Sequence, residues 1–370
     1  MPIEQIDIEK FLELSKTLPV IDVRSPGEYL HAHIPNAISI PLFTDEQRKI
    51  IGTAYKNQSR QIAVNIGLNY FSERMKIIPA EVINILKDWE KAYNNNTLSS
   101  SSSGAKGTGL LIHCWRGGMR SEAVAWLLNL YGYKIYVLKG GYKAFRNWAL
   151  TQFEKKYSFK ILGGFTGSGK TDILKEIRKE GKAIIDLESL ANHKGSAFGA
   201  LGEKSQPAQE MFENLIAVEL WKNTNEENTT NGDEQTQIDN PAIWLEDESS
   251  NIGKVNIPKI LWTQMRNSPL YFLEIPFEER LNYIVSVYGN FTKKDLVTSI
   301  MQLQKRLGGL ETKNAINFLL EDKPKDSFSI LMQYYDKMYF KGLHNRENEK
   351  SLLTKIYCSN VDRKNAQYLL

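Results

Sequence analysis

The stretch G-F-T-G-S-G-K-T at residues 164–171 restricts the fold more than any other part of the chain. It fits the pattern G-x-x-x-x-G-K-[ST]. Such a loop can close its backbone N–H groups round a diphosphate when a strand delivers the chain and a helix leads it away. Both flanks comply: residues 161–164 (I-L-G-G) read as a strand and residues 171–179 as a helix. Gly164, Thr166, Gly167, Ser168 and Gly169 would form the cradle, and Lys170 would reach the outer phosphate. Thr171 would hold Mg²⁺ if the metal is used. ATP, GTP or another pyrophosphate fits the same cradle. Strand patterns at 183–186, 242–245 and 270–275, with a helix at 207–221, make this an α/β unit over residues 158–276. Residues 277–370 read as helical, rich in aromatics and lysines.

A second chemical loop, H-C-W-R-G-G-M-R-S at residues 113–121, follows a strand at 109–113 and enters a helix at 121–130. Peptide N–H groups in such a loop converge on one point, and the helix N-terminus adds partial positive charge. Arg116 and Arg120 add formal charge, and Gly117 and Gly118 let the backbone curl. All of this favours the thiolate of Cys114, as a nucleophile or as a carrier of sulfur or selenium beside a bound anion. Cysteine phosphatases use the same Cys-x5-Arg spacing, so the loop alone leaves the chemistry open. Trp115 reads as loop packing and His113 as a strand histidine with a satisfied hydrogen bond. Strands at 20–23 and 133–138, the latter closed by K-G-G-Y at 139–142, and mostly helical patterns over 42–89 complete an α/β domain over residues 1–150.

The 370 residues carry a net charge of +4, which permits an anionic partner without demanding one. Two cysteines, Cys114 and Cys358, make no disulfide framework and point to a reducing compartment. The N-terminus has no signal-peptide pattern, and no apolar run reaches the length of a membrane span, so the chain is read as cytoplasmic without membrane contact. Polar stretches near 94–109 and 223–239 read as inserted surface loops.

Weaker candidates surround the phosphate loop. Asp186, ending a strand, would serve a metal or act as a base; Glu246 and Glu248 would be acid–base groups or part of a solvated charge run. His193 lies in a glycine-rich segment that would face the phosphate site. Lys305 and Arg306 would touch an anionic backbone, and Cys358 reads as incidental. No resident metal ligands are assigned.

Several stretches together resemble the tRNA 2-selenouridine synthase family: I-D-V-R-S-P-G-E-Y at 21–29, G-T-A-Y-K at 52–56, the cysteine loop, L-K-G-G-Y-K at 138–143, the phosphate loop, I-D-L-E-S-L-A-N-H-K-G-S-A-F-G at 185–199 and E-D-E-S at 246–249. The N-terminal part also resembles rhodanese domains, with Ala32 and Asn36 where glycine is usual and Asp22 and Arg24 read as a pair holding the loop. Ser250 stands where the synthase family usually has arginine. The resemblance implies a rhodanese domain joined to a P-loop domain, and a two-step exchange on wobble 2-thiouridine. Geranyl diphosphate would alkylate the sulfur, and selenium from selenophosphate would then displace the S-geranyl group. Both are co-substrates; no tightly bound cofactor is expected, and Mg²⁺ would accompany the diphosphate. Partners would be tRNAs for Lys, Glu and Gln and an enzyme supplying selenophosphate, with the chain a monomer. Tyr55 and Lys56 would lie near the anticodon loop. The rival readings are an ATP-dependent tRNA sulfurtransferase with persulfide on Cys114, a small-molecule kinase fused to a phosphatase-like domain, and a non-enzymatic tRNA-binding module.

Overall fold

The computed structural model describes residues 3–96, 109–225, 242–346 and 349–370. Apart from their ends, the polar stretches 94–109 and 223–239 lie outside the described residues. The chain divides into two compact units, one ending at Thr151 and the other starting at Gln152.

The first unit is built on strands β1 (Ile3–Ile6), β2 (Val20–Asp22), β3 (Ile38–Ser39), β4 (Gly109–His113) and β5 (Lys134–Leu138). They form one sheet in the order β1-β5-β4-β2-β3, every pair parallel. A parallel strand is covered on both faces and therefore reads as a continuous apolar run. The central β4, G-L-L-I-H, is buried at all five positions. Residues Val82 and Leu86 of the helix Ile78–Asn96 share a core with Ile21, Leu110, Ile112, Val124 and Leu128. β1 and β3 escaped the sequence reading because I-E-Q-I and I-S are short and only partly buried. The helix after the cysteine loop begins at Met119, two residues before the expected start, with Gly118 at its N-cap.

The second unit holds β6 (Phe159–Gly164), β7 (Ile184–Ile185), β8 (Ile243–Glu246), β9 (Asn251–Ile252), β10 (Val255–Asn256), β11 (Leu270–Glu274) and β12 (Leu353–Tyr357). Five of them make a parallel sheet in the order β12-β11-β6-β8-β7, while β9 and β10 form an antiparallel pair. In register, Leu162 of β6 faces Glu246 of β8, so the phosphate loop and the E-D-E-S string emerge side by side at the carboxyl ends of adjacent strands. Ligands of open α/β sheets bind at this end. The helix Lys170–Lys179 buries Ile173, Leu174 and Ile177 against that sheet, the spacing of one helical face.

Helices Phe277–Tyr288, Lys293–Leu307, Gly309–Leu320 and Pro324–His344 follow, packed round Ile284, Ile300, Leu319, Phe328 and Leu331. The helical reading of residues 277–370 therefore holds as far as His344, and then the chain returns to the sheet as β12. Its L-T-K-I-Y has only intermediate and exposed side chains, the pattern of an edge strand without a periodic apolar signal. Cys358, read as incidental, is buried in the core with Ile173, Ala366 and Leu369, so it is a packing residue.

Candidate functional site

Cys114 leaves β4 into a loop that the chain holds from two sides. Tyr142 N–H donates to the Cys114 carbonyl (2.8 Å) and Lys143 N–H to that of Trp115 (3.0 Å). The K-G-G-Y turn is thus the rear wall of the cysteine loop. Gly117 (φ 65°) and Gly141 (φ 58°) are left-handed, and a Cβ on Gly141 would collide with the Cys114 carbonyl and the Gly117 nitrogen. The N–H groups of Arg116, Gly117, Gly118, Met119 and Arg120 meet no acceptor among the described residues. They are available to an anion.

The side chains are less simple than the sequence suggests. Arg116 is exposed beside the cysteine, but Arg120 is already paired with Glu28 (2.8 Å). Cys114 Sγ is buried and lies 3.3 Å from Ser121 Oγ, while that hydroxyl donates to the Gly118 carbonyl (2.9 Å). Ser121 is thus a site residue that the sequence reading passed over. Asp22 and Arg24 form the expected pair (2.6 Å), fully buried, with the guanidinium 3.9 Å from the centre of the Tyr142 ring. His113 has the expected hydrogen bond at one nitrogen only: Nδ1 sits 3.4 Å from the Cys114 carbonyl, while buried Nε2 has no hydrogen-bond partner, with Asp22 3.7 Å away. Burial keeps this histidine below its ordinary value. Trp115, read as packing, is 37% exposed. Tyr55 and Lys56 lie exposed on the helix Asp45–Asn57.

In the second unit the phosphate loop opens on a cavity of about 1100 Å³ lined by Gly164, Thr166–Thr171, Asp186, His193, Glu246, Glu248 and Arg306. The cavity gathers most of the residues nominated from sequence; Lys305 stays on the exposed side of its helix. Gly167 (φ 83°) has no room for a Cβ because the Arg280 carbonyl and Ile284 lie against it. Arg280 clamps the loop, donating to the Thr166 carbonyl (2.9 Å) while paired with Asp336 (2.7 Å). Tyr339 OH accepts from Gly164 N–H (3.3 Å) and donates to Asp247 (2.6 Å), whose other oxygen is paired with Arg346. The helix Pro324–His344 thus holds Gly164 directly through Tyr339, and Thr166 indirectly through the Asp336–Arg280 pair. Lys170 Nζ donates to the Gly164 carbonyl (3.2 Å), poised at the cradle. Asp186 caps the short helix Leu187–Ala191 by accepting from Ser189 N–H (2.9 Å), which accounts for the residue structurally and takes one oxygen from any role as a base.

Glu246 and Glu248 are no solvated charge run. With Glu188 they bring one oxygen each within 4.8 Å of one another, beside Thr171 and Lys170. Burial, reinforced by the neighbouring carboxylates and opposed by Lys170, pushes Glu188 up to about 9 and Glu246 up to about 8. Glu248 rises to about 8 for the same reasons. Glu246 Oε1 is buried without a partner. Hard oxygen donors, an idle buried carboxylate oxygen and an adjacent hydroxyl fit a divalent cation such as Mg²⁺. The sequence pattern does not reveal this carboxylate cluster, because Glu188 lies on a helix far from E-D-E-S in the chain, and only the sheet joins them.

The matches to known proteins follow the same division. Residues 7–147 match the rhodanese-like domain, and residues 157–357 match the tRNA 2-selenouridine synthase AAA domain. The tRNA 2-selenouridine synthase of Sulfurovum sp. (strain NBC37-1) is 33% identical over 352 residues, which cover 87% of each chain. The chain belongs to the tRNA 2-selenouridine synthase family. The synthase of Marinobacter nauticus (strain ATCC 700491 / DSM 11845 / VT8) is 30% identical over 93% of each chain, and that of Pseudomonas putida (strain W619) 31% identical over 87% of this chain. For a synthase of this family, the structure ties the resembling stretches to a cause. L-K-G-G-Y-K closes the cysteine loop, and I-D-L-E-S carries the third carboxylate to the phosphate site. Among the described residues no helix is long and apolar enough to cross a membrane.

Proposed function

We propose that this protein is a transferase that replaces the sulfur of tRNA 2-thiouridine with selenium, by way of an S-geranyl intermediate. The observation that carries the reading is the wall of the phosphate cavity. Beyond the loop it is lined by Tyr283, Val287, Tyr334 and Met338, backed by the buried Phe198, Ile284, Phe328, Leu331 and Met332. An isoprenoid tail needs such a surface, and a nucleoside does not.

The residues divide the work as follows. In the first step the thiocarbonyl sulfur attacks C1 of geranyl diphosphate, the C–O bond breaks, diphosphate leaves and the uracil N3 proton is lost. The loop N–H groups and Lys170 meet the charge that develops on the departing diphosphate. A cation held by Thr171, Glu188, Glu246 and Glu248 would add Lewis-acid stabilisation of that leaving group. Asp186, His193 and Arg306 border the same space as substrate contacts. In the second step selenophosphate, held by the N–H groups of the cysteine loop and by Arg116, delivers selenium to C2. Geranyl thiolate departs, and water takes the phosphoryl group as phosphate. Cys114 guides this selenium. A selenosulfide on Cys114 would need a two-electron oxidant, because thiolate and selenophosphate selenium are both reduced. Lys305, Tyr55 and Lys56 supply exposed polar contacts for tRNA, with Lys, Glu and Gln acceptors the expected substrates.

The test is competitive binding at the phosphate loop. The reading predicts that geranyl diphosphate binds tighter than inorganic diphosphate by the burial of its tail, and that ATP does not displace it. Tight ATP binding with release of pyrophosphate on unthiolated tRNA would instead establish the sulfurtransferase.

A further inference from the structure

We propose that Trp115 is the stacking platform on which the substrate base lies when C2 is presented to the cysteine loop. This rests on the reading of the protein as an enzyme acting on a tRNA base.

The indole follows Cys114 directly and is the one aromatic side chain of the loop 114–118. It is 37% exposed, although its neighbours in the fold, Tyr142 and Arg24, are buried. Exposing a large aromatic ring has a cost, and burying it as a simple plug would have removed that cost. The ring is nonetheless held. Its centroid lies 5.6 Å from that of Tyr142 at 37°, the Arg24 guanidinium sits 6.0 Å from it, and its carbonyl is fixed by Lys143 N–H (3.0 Å). Arg24 is in turn locked to Asp22 and to the Ala32 carbonyl (2.7 Å). The indole is thus preorganised, backed by a cation–aromatic stack and open on the solvent side.

A single-stranded base offers a π-face of matching size. Stacking it on an aromatic ring is tolerant of base identity and contributes about 1–3 kcal/mol by alanine substitution. The adjacent N–H groups of the loop are available for the anion that reacts with the base. Base and anion would then meet over one sulfur atom, Cys114 Sγ. A residue that merely covers Tyr142 and Arg24 needs only apolar bulk; a platform needs an aromatic face.

Two variants of the full chain separate these roles, Trp115→Leu and Trp115→Phe. The probe is an anticodon stem–loop RNA carrying S-geranyl-2-thiouridine, with binding read by fluorescence anisotropy and the selenium step by product formation. The proposal expects Trp115→Leu to weaken binding and raise KM roughly 5- to 100-fold, with Trp115→Phe restoring most of it. Equal behaviour of Leu and Phe variants, both melting as the wild type does, would overturn the platform. If the wild-type chain neither binds nor converts the RNA, the enzymatic reading itself falls, and the inference with it.

Discussion

Replacing Glu246 by glutamine isolates the electrostatic cost of the carboxylate cluster. Glu246 is 1% exposed, and burial, then the nearby Glu188, pushes it up to about 8 from an ordinary 4.5. In the unfolded chain this carboxyl gives up its proton above about 4.5, whereas in the folded protein it keeps it until about 8. The folded state therefore holds more protons across that window, and stability falls as pH rises through it. At about pH 7.5 roughly three units of the window have been crossed, each worth ~1.4 kcal/mol, so the ceiling is ~4 kcal/mol. Glu188 and Glu248 share the same field, and relaxation among three carboxyls reduces the effect to about 2 kcal/mol. Glutamine keeps the shape and cannot ionise. With diphosphate and metal excluded by a chelator, Glu246→Gln should melt with wild type near about pH 5 and ~5–8 °C above it near about pH 7.5. The variant should also lose stabilisation by Mg²⁺. Identical pH slopes for the two proteins would refute the reasoning, because they would mean that Glu246 ionises freely in the fold.

Three further outcomes follow from the geometry. Gly141→Ala should cost at least ~1–2 kcal/mol in thermal melting and open the cysteine loop, since the added Cβ meets the Cys114 carbonyl at a left-handed φ. Tyr339→Phe removes the hydroxyl that joins Asp247 to Gly164 N–H, and calorimetry should show diphosphate binding weaker by roughly 5- to 10-fold with the fold intact. Ser121→Ala removes a hydroxyl 3.3 Å from Cys114 Sγ; because that hydroxyl donates to the Gly118 carbonyl, it accepts from the thiol and favours it over the thiolate, so alkylation of Cys114 by iodoacetamide should quicken roughly 2- to 10-fold at neutral pH.

The parts of the site that were legible in the sequence are those whose chemistry is local. The phosphate loop needs glycines at fixed positions between a strand and a helix, and Gly164, Gly167 and Gly169 all take positive φ there. Asn36 likewise occupies the left-handed region, at φ 65°, as a tolerated substitute for glycine. What the sequence concealed is what the sheet assembles. Glu188 reaches Glu246 only because β7 pairs with β8, and Tyr339 reaches Gly164 only because a late helix folds back over β6. The edge strand β12 carries no apolar period, so nothing in L-T-K-I-Y announces it. Ser121 was in plain view, but its proximity to the sulfur depends on the helix starting at Met119, with Gly118 as the cap.

The central claim is that the two loops perform separable steps on one base. Nucleoside mass spectrometry tests it directly, using 2-thiouridine tRNA with geranyl diphosphate, then selenophosphate, and no ATP. The wild type should give an S-geranyl nucleoside and then a selenium nucleoside. Cys114→Ala should stop after the geranyl product, and Lys170→Ala should yield neither product from 2-thiouridine yet still convert tRNA supplied already geranylated. Loss of both steps in each variant, or a product that forms only when ATP and a persulfide donor are added, would contradict the account.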